Sequence, residues 1–225
     1  MKKVMFLVNS LEEFDFGAEA KELLPETHIT VGESLPDRCE DFQLVVLWSF
    51  RKLLPQVAGR SNVVVFHSSD LPAGRGWAPI YHALATGQET FTISGILPMA
   101  EADTGDVVAK ARFRIRPEHT AENLRRWDHR ISLLLSAKLL ERFPDGRLRG
   151  KPQAGPASWY SRRRPEQNEV PLDKPLGELV PHLRACEARH PAFFLYQGIR
   201  YDIRIAPAAP PPFPADLEFE FYDSP

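Results

Sequence analysis

The stretch Val63-Val64-Val65-Phe66-His67-Ser68-Ser69-Asp70-Leu71-Pro72-Ala73-Gly74-Arg75-Gly76-Trp77 decides how the chain folds. Its opening apolar run lacks polar alternation, which marks a strand covered on both faces. A loop punctuated by Ser, Pro and Gly follows, and then a helical pattern over Trp77–Thr86. Upstream, Leu44-Val45-Val46-Leu47 is a second run of the same kind. Further outward, strands read at Lys3–Val8, His28–Val31, Phe42–Trp48, Asn62–His67 and Thr90–Leu97. Helix-like stretches read at Leu11–Leu24 and Arg51–Val57. Strands alternating with helices imply crossovers, so we expect an α/β fold built on a mostly parallel sheet with helices on both faces.

Beyond this core, Thr120–Arg142 carries apolar residues near a 3.6-residue period, from Leu124 and Trp127 to Leu139. Thr120 and Asn123 suit a helix cap, and Phe143-Pro144-Asp145-Gly146 ends the helix. Composition shifts at this point: residues 1–142 hold 7 of the 21 prolines and residues 143–225 hold 14. We therefore divide the chain into 1–142 and a C-terminal region 143–225. The latter reads as loop, a helix at Leu176–Ala188, and short β segments at Ala192–Tyr196, Ile199–Ile205 and Leu217–Tyr222. Together these make a small α+β appendage. Ala206–Pro214 reads as an extended proline-rich linker.

The balance of 28 Lys+Arg against 30 Asp+Glu gives a net charge of -2, without the global basic footprint of a protein held by nucleic-acid phosphates. The two cysteines, Cys39 and Cys186, show no metal or redox spacing and are too few for a disulfide framework. No stretch is long enough to span a membrane, and the run Val4–Val8 falls short of a signal-peptide core. The expectation is a cytoplasmic protein with no membrane partner. Six further histidines lack ligand spacing, so no metal is expected. Asp15-Phe16-Gly17 copies a kinase tripeptide without any other kinase element and reads as coincidence.

In α/β sheets, ligands bind beyond the carboxyl ends of the strands. His67 stands at such an end, where it reads either as a satisfied interior histidine or as an acid/base group, and position alone favours the former. Glu101-Ala102-Asp103-Thr104-Gly105-Asp106 likewise reads alone as an acidic turn.

Taken together the two segments resemble the folate-dependent formyltransferase family, and most closely its sugar-nucleotide N-formyltransferases. That family pattern is a strand ending in Asn-x-His, then Ser-x-Leu-Pro-x-x-Arg-Gly, then Asp-Thr-Gly-Asp. Here His67, Ser69 to Gly76 and Asp103 to Asp106 fit in order, with 36 residues from His67 to Asp103. The likeness is strong over about residues 42–115. It implies a Rossmann-like sheet in residues 1–142, 10-formyltetrahydrofolate as co-substrate, and an acceptor-specific region 143–225.

One position departs from the pattern: the family's Asn falls on Val65. Asn62 sits three residues back, about 10 Å away and on the opposite face, and cannot replace it. A backbone N–H or a serine, Ser68 or Ser69, would then support the oxyanion. The mechanism implied by the family has an acceptor amine attack the formyl carbon. His67 stabilises the resulting oxyanion and relays the amine's proton to the leaving folate nitrogen, while Asp103 orients the imidazole. The resemblance also implies that the pteridine lies against Phe50, Lys52, Leu53 and Leu54 after the preceding strand, and against Met99 and Glu101. For Leu53 and Leu54, core packing is an equal alternative.

Between Arg142 and Arg164 seven basic residues face one acid, a local excess of +6. Such a run is a solvated face or, with Trp159 and Tyr160 interleaved, a holder of a diphosphate and a ring. Its Trp-Tyr-Ser-Arg-Arg-Arg-Pro-Glu segment resembles sugar N-formyltransferases. The expected acceptor is a nucleotide-linked amino sugar, of the kind used in lipopolysaccharide O-antigen biosynthesis, held by Arg75, Gly76, Trp77, Trp159, Tyr160, Arg162 and Arg163. Methionyl-tRNA or an amino acid is the alternative acceptor. The acidic tail Asp216–Asp223 disfavours nucleic acid. A folate-binding module without turnover, and a homodimer, both stay open at this point.

Overall fold

The computed structural model describes residues 1–13 and 17–222. Asp15, Phe16 and Asp223 therefore lie outside the described residues. Strands β1 (Lys2–Leu7), β2 (Thr27–Gly32), β3 (Leu44–Leu47) and β4 (Val63–His67) pair in parallel, in the order β4-β3-β1-β2. The two-residue β5 (Arg75–Gly76) stands apart, and β6 (Thr90–Ile96) then adds antiparallel to β4. Strand β7 (Val107–Arg114) pairs antiparallel with β6. The result is a seven-stranded mixed sheet, of which β1 to β4 and β7 run the same way.

Period-two alternation sorts the strands' side chains between two faces. Val4, Phe6, Leu44, Val46 and Val64 enter one core with Ala20 of α1 (Gly17–Leu23), Ile80 and Leu84 of α2 (Pro79–Ala85), and Leu124, Ile131 and Leu139 of α3 (Ala121–Arg142). Met5, Leu7, Val45, Leu47 and Val63 face the other way, against Cys39 and Val57 in single 3₁₀ turns. The expectation of helices on both faces is thereby corrected: among the described residues, α1, α2 and α3 share one face, and short turns cover the other.

The helix expected over Arg51–Val57 is also absent, apart from the 3₁₀ turn Pro55–Val57. Ser49 takes a left-handed φ of 47°, and Leu54, which precedes Pro55, is held out of the helical region at φ -124° and ψ 80°. In contrast, α3 starts where expected. Thr120 Oγ1 accepts from the Asn123 N–H while the Asn123 side chain accepts from the Thr120 N–H, a reciprocal capping box.

Past α3 the chain returns to the first half. Phe143 and Leu148 join the larger core, and Lys151 exchanges two backbone hydrogen bonds with Val107. Strand β8 (Trp159–Tyr160) pairs in parallel with β5. Helix α4 (Leu176–Ala185) packs on α2, and β9 (Ala192–Tyr196) and β10 (Ile199–Ile203) form a hairpin. Finally β11 (Glu218–Phe221) closes the sheet's edge beside β7. The α+β appendage is thus α4 with the hairpin, while β11 belongs to the main sheet.

Candidate active site

His67 ends β4 on the face opposite α1, α2 and α3, because it shares the parity of Val63 and Val65. Its side chain is 10% exposed and that of Asp103 is 14% exposed, with Nδ1 3.6 Å from Asp103 Oδ1. The other ring nitrogen, Nε2, lies 2.9 Å from the Gly74 carbonyl oxygen. Both ring nitrogens therefore face oxygen acceptors. A neutral imidazole carries one N–H and serves only one of them at a time.

Asp103 is carried by a tight turn between β6 and β7. Its own φ is 56°, and the Thr104 hydroxyl donates to the Glu101 carbonyl at 2.8 Å. Gly105 presses so closely on the Leu97 carbonyl oxygen that a Cβ there would lie 1.7 Å from it. Glycine alone permits that approach. Asp103 Oδ2 in turn accepts from the Gly76 N–H at 2.8 Å, which ties the acid to the loop after His67.

That loop is clamped from outside by the C-terminal region. The Gly74 N–H donates to Ser158 Oγ, the Arg75 N–H to the Ser158 carbonyl and the Trp77 N–H to the Tyr160 carbonyl. Gly76, at φ 94°, has the Tyr160 carbonyl oxygen 2.5 Å from where a Cβ would stand. Cation–π contacts stack on this clamp: Arg75 lies over Trp159 at 5.5 Å, Arg162 over Trp77 at 5.0 Å and Arg163 over Tyr81 at 3.2 Å. Trp77 and Trp159 stay 42% and 51% exposed, so their rings remain open to a ligand. Arg163 is further engaged by Asn168 Oδ1 and the Gln167 carbonyl, which makes it a brace inside the protein.

The serines expected to support the oxyanion are committed elsewhere. Ser68 alternates to the helical face, where its hydroxyl donates to Asp128 Oδ1 of α3 at 2.8 Å. The Ser69 hydroxyl donates to the Ala73 carbonyl at 2.8 Å. In this arrangement neither hydroxyl proton is available to an oxyanion. Val65 packs into the apolar layer beside Leu71 and Ile96, and Asn62 donates to the Cys39 and Phe42 carbonyls at the far end of β4.

In the segment after β3, Phe50 and Leu54 pack against the apolar layer and Lys52 is exposed. Leu53 is 60% exposed and Met99 is 50% exposed. The Gly59 N–H donates to the Pro98 carbonyl at 2.8 Å, which joins the segment after β3 to the one after β6. Two exposed apolar side chains on joined segments suit a flat ring, while Glu101 is exposed beside them. The structure thus brings His67, Asp103, Gly76 and Arg75 together, and it leaves Phe50 and Leu54 partly buried against the apolar layer.

Sequence reasoning missed Gln153, whose side-chain amide donates to the carbonyls of Asp103 and Gly105 and accepts from Arg75. It also missed β8, since two residues give no periodic signal. Among the described residues, no three His, Cys, Asp or Glu side chains gather as metal ligands, and no helix is long and apolar enough to cross a membrane.

Residues 33–139, just under half of the chain, match the family model described as formyl transferase. Solved structures of similar fold include HypX from Aquifex aeolicus in complex with tetrahydrofolic acid, at TM-score 0.71 and 17% identity. That match covers 91% of this chain and 37% of HypX, so the chain spans well under half of that relative's length. A methionyl-tRNA formyltransferase from Clostridium thermocellum matches at TM-score 0.71 and 22% identity, over 98% of this chain and 99% of that one. A sugar N-formyltransferase from a Shewanella species matches at TM-score 0.67 and 14% identity, over 94% of this chain and all of that one. At such identities these likenesses establish the fold. The match over 33–139 spans His67, the loop to Gly76 and the Asp103 turn, and over this part the chain is similar to the formyl transferase family.

Proposed function

We propose that the chain is an N-formyltransferase that moves a formyl group from 10-formyltetrahydrofolate to the amine of a nucleotide-linked amino sugar. The observation that carries this reading is the docking of β8 on β5, which sets the exposed Trp159 and its arginine neighbours directly beside the loop joining His67 to Asp103. An acceptor whose diphosphate meets Arg75 and Arg162, and whose ring lies on Trp77 or Trp159, would present its amine toward His67. The folate donor supplies the formyl carbon, with Leu53 and Met99 offering apolar cover to its ring.

His67 then acts at two moments. With its Nδ1–H turned toward Asp103, Nε2 takes the amine's proton as the amine adds, and the Nε2–H so formed steadies the oxyanion and is then given to the departing folate nitrogen. Asp103 holds the imidazole's other nitrogen in place. With Val65 unable to donate and both serine protons committed, His67 and backbone N–H groups carry the oxyanion unaided.

The test is turnover of 10-formyltetrahydrofolate with uridine, thymidine and guanosine diphosphate-linked amino sugars. His67→Ala should lower the rate about 10²–10⁴-fold, the usual worth of a positioned acid/base group. An unaltered rate in His67→Ala or Asp103→Asn rejects the mechanism. A tRNA acceptor, the reading favoured by the full-length likeness to a methionyl-tRNA formyltransferase, would instead show acceptor binding that falls steeply with salt.

A further inference from the structure

We propose that Gln153 is a positioning residue that locks Asp103 into place and joins it to the acceptor side of the site. Its three contacts use both amide N–H donors and one lone pair of the carbonyl oxygen. Nε2 donates to the Asp103 carbonyl at 2.8 Å and to the Gly105 carbonyl at 2.9 Å, while Oε1 accepts from an Arg75 guanidinium N–H at 2.6 Å. A primary amide supplies two donors and an acceptor on one planar group, which no other side chain of this length does.

The turn needs such a tether. Asp103 sits at φ 56°, in the left-handed region that non-glycine residues seldom occupy. Gln153 gathers the two carbonyls on either side of Thr104, and so fixes the direction in which the Asp103 carboxylate leaves the turn. Gln153 is itself held in register, because Lys151 N donates to the Val107 carbonyl and Lys151 O accepts from the Val107 N–H, at 3.0 and 2.8 Å. Through Oε1 the same amide reaches Arg75, which stacks over Trp159. Acceptor binding at Arg75 and the aim of Asp103 toward His67 thus share one side chain. The link to the acceptor rests on the function proposed above, whereas the tether does not.

The reporter is the Gly76 N–H, which donates to Asp103 Oδ2 at 2.8 Å. Amide hydrogen exchange is followed by NMR on the full chain, without acceptor or folate, in wild type, Gln153→Leu, Gln153→Glu and Asp103→Ala. Gln153→Leu has similar volume and no polar atoms. Gln153→Glu keeps the acceptor for Arg75 and removes the donors. Both should speed exchange at Gly76 about tenfold or more, as Asp103→Ala should by removing the acceptor itself, with Ala109 and Ala111 of β7 unchanged. Where turnover is measured, kcat falls while KM for 10-formyltetrahydrofolate holds. Unchanged Gly76 exchange in both variants overturns the proposal. So does a uniform rise across β7, which marks a residue needed only for folding. Because exchange is read without acceptor, a wild-type protein inactive on every sugar nucleotide defeats the proposed function and leaves this test standing.

Discussion

His67 Nε2 lies 2.9 Å from the carbonyl oxygen of Gly74, seven residues further along the same chain. The nitrogen expected to meet the formyl oxygen is therefore occupied by its own loop, and catalysis requires that it exchange one oxygen for another. Gly74 sits at φ 74°, where a Cβ would stand 2.7 Å from Tyr160 Cε2 and 3.0 Å from Ser69 Cβ. Gly74→Ala should cost about 2–4 kcal/mol, summing left-handed strain with overpacking, and should displace the carbonyl from the imidazole. Chemical denaturation together with kcat checks this. Wild-type stability and rate in the variant would count against a role for the Gly74 carbonyl.

Ser68 separates two readings of the loop. A serine that supported the oxyanion would cost about 10²–10³ in kcat when removed. The structure instead gives its proton to Asp128, which is buried on α3. Ser68→Ala should therefore lower stability by about 1–3 kcal/mol, the cost of an unsatisfied buried acceptor, and change kcat by no more than a few-fold. Steady-state kinetics beside urea denaturation distinguish the two outcomes.

Gly105 is the least replaceable residue of the acidic turn. A Cβ would fall 1.7 Å from the Leu97 carbonyl oxygen, and Leu97 is itself held by its N–H to the Asp106 carbonyl at 2.9 Å. Neither backbone can yield without moving Asp103. Gly105→Ala should cost about 3 kcal/mol or more, the upper range for overpacking, and abolish measurable turnover. A crystal structure or NMR spectrum of the variant with the turn unmoved would refute this.

These sites show which parts of the molecule a sequence makes legible. The continuous apolar runs at 44–47 and 63–66 located the central strands because burial on both faces removes polar residues from them. The Thr120–Asn123 pair located the start of α3 because a reciprocal cap needs particular side chains at a particular spacing. His67 and Asp103 were found through spacing within a family pattern, and they lie together. What escaped was set by tertiary pairing. The direction of β6 against β4 leaves no mark on composition, since either direction buries the same face. Ser68 meets Asp128 60 residues away, Gln153 meets Asp103 50 residues away and Tyr160 stacks on His82 78 residues away, all beyond any local signal.

Three histidines outside the site should make the fold sensitive to mild acid. Burial holds His82, His119 and His182 below the usual histidine range of 6.5, with the Arg163 charge adding to the effect at His82. At His182 a hydrogen bond to the Asn168 carbonyl opposes burial and Arg163 reinforces it, with Tyr81 Oη 2.8 Å from Nδ1. At His119, Glu118 and Asp216 oppose burial while Arg116 and Arg184 reinforce it, and Nδ1 accepts from the Arg116 N–H at 3.2 Å, a bond that protonation would abolish. A group whose folded pKa lies below its unfolded value binds more protons when unfolded, so stability is full above about 6.5 and falls as pH drops through the folded values. Each tenfold difference in proton affinity is worth about 1.4 kcal/mol. Glu187 titrates in the same sense but lower: burial pushes it up, and Arg125, with Arg189 and His190, carries it below the 4.5 of a free glutamate, outside this window. Tm should thus decline from pH 8 to pH 5.5, and the decline should shrink in His119→Asn. A Tm that stays flat between pH 8 and 5.5 would show that these rings take up protons without cost to the fold.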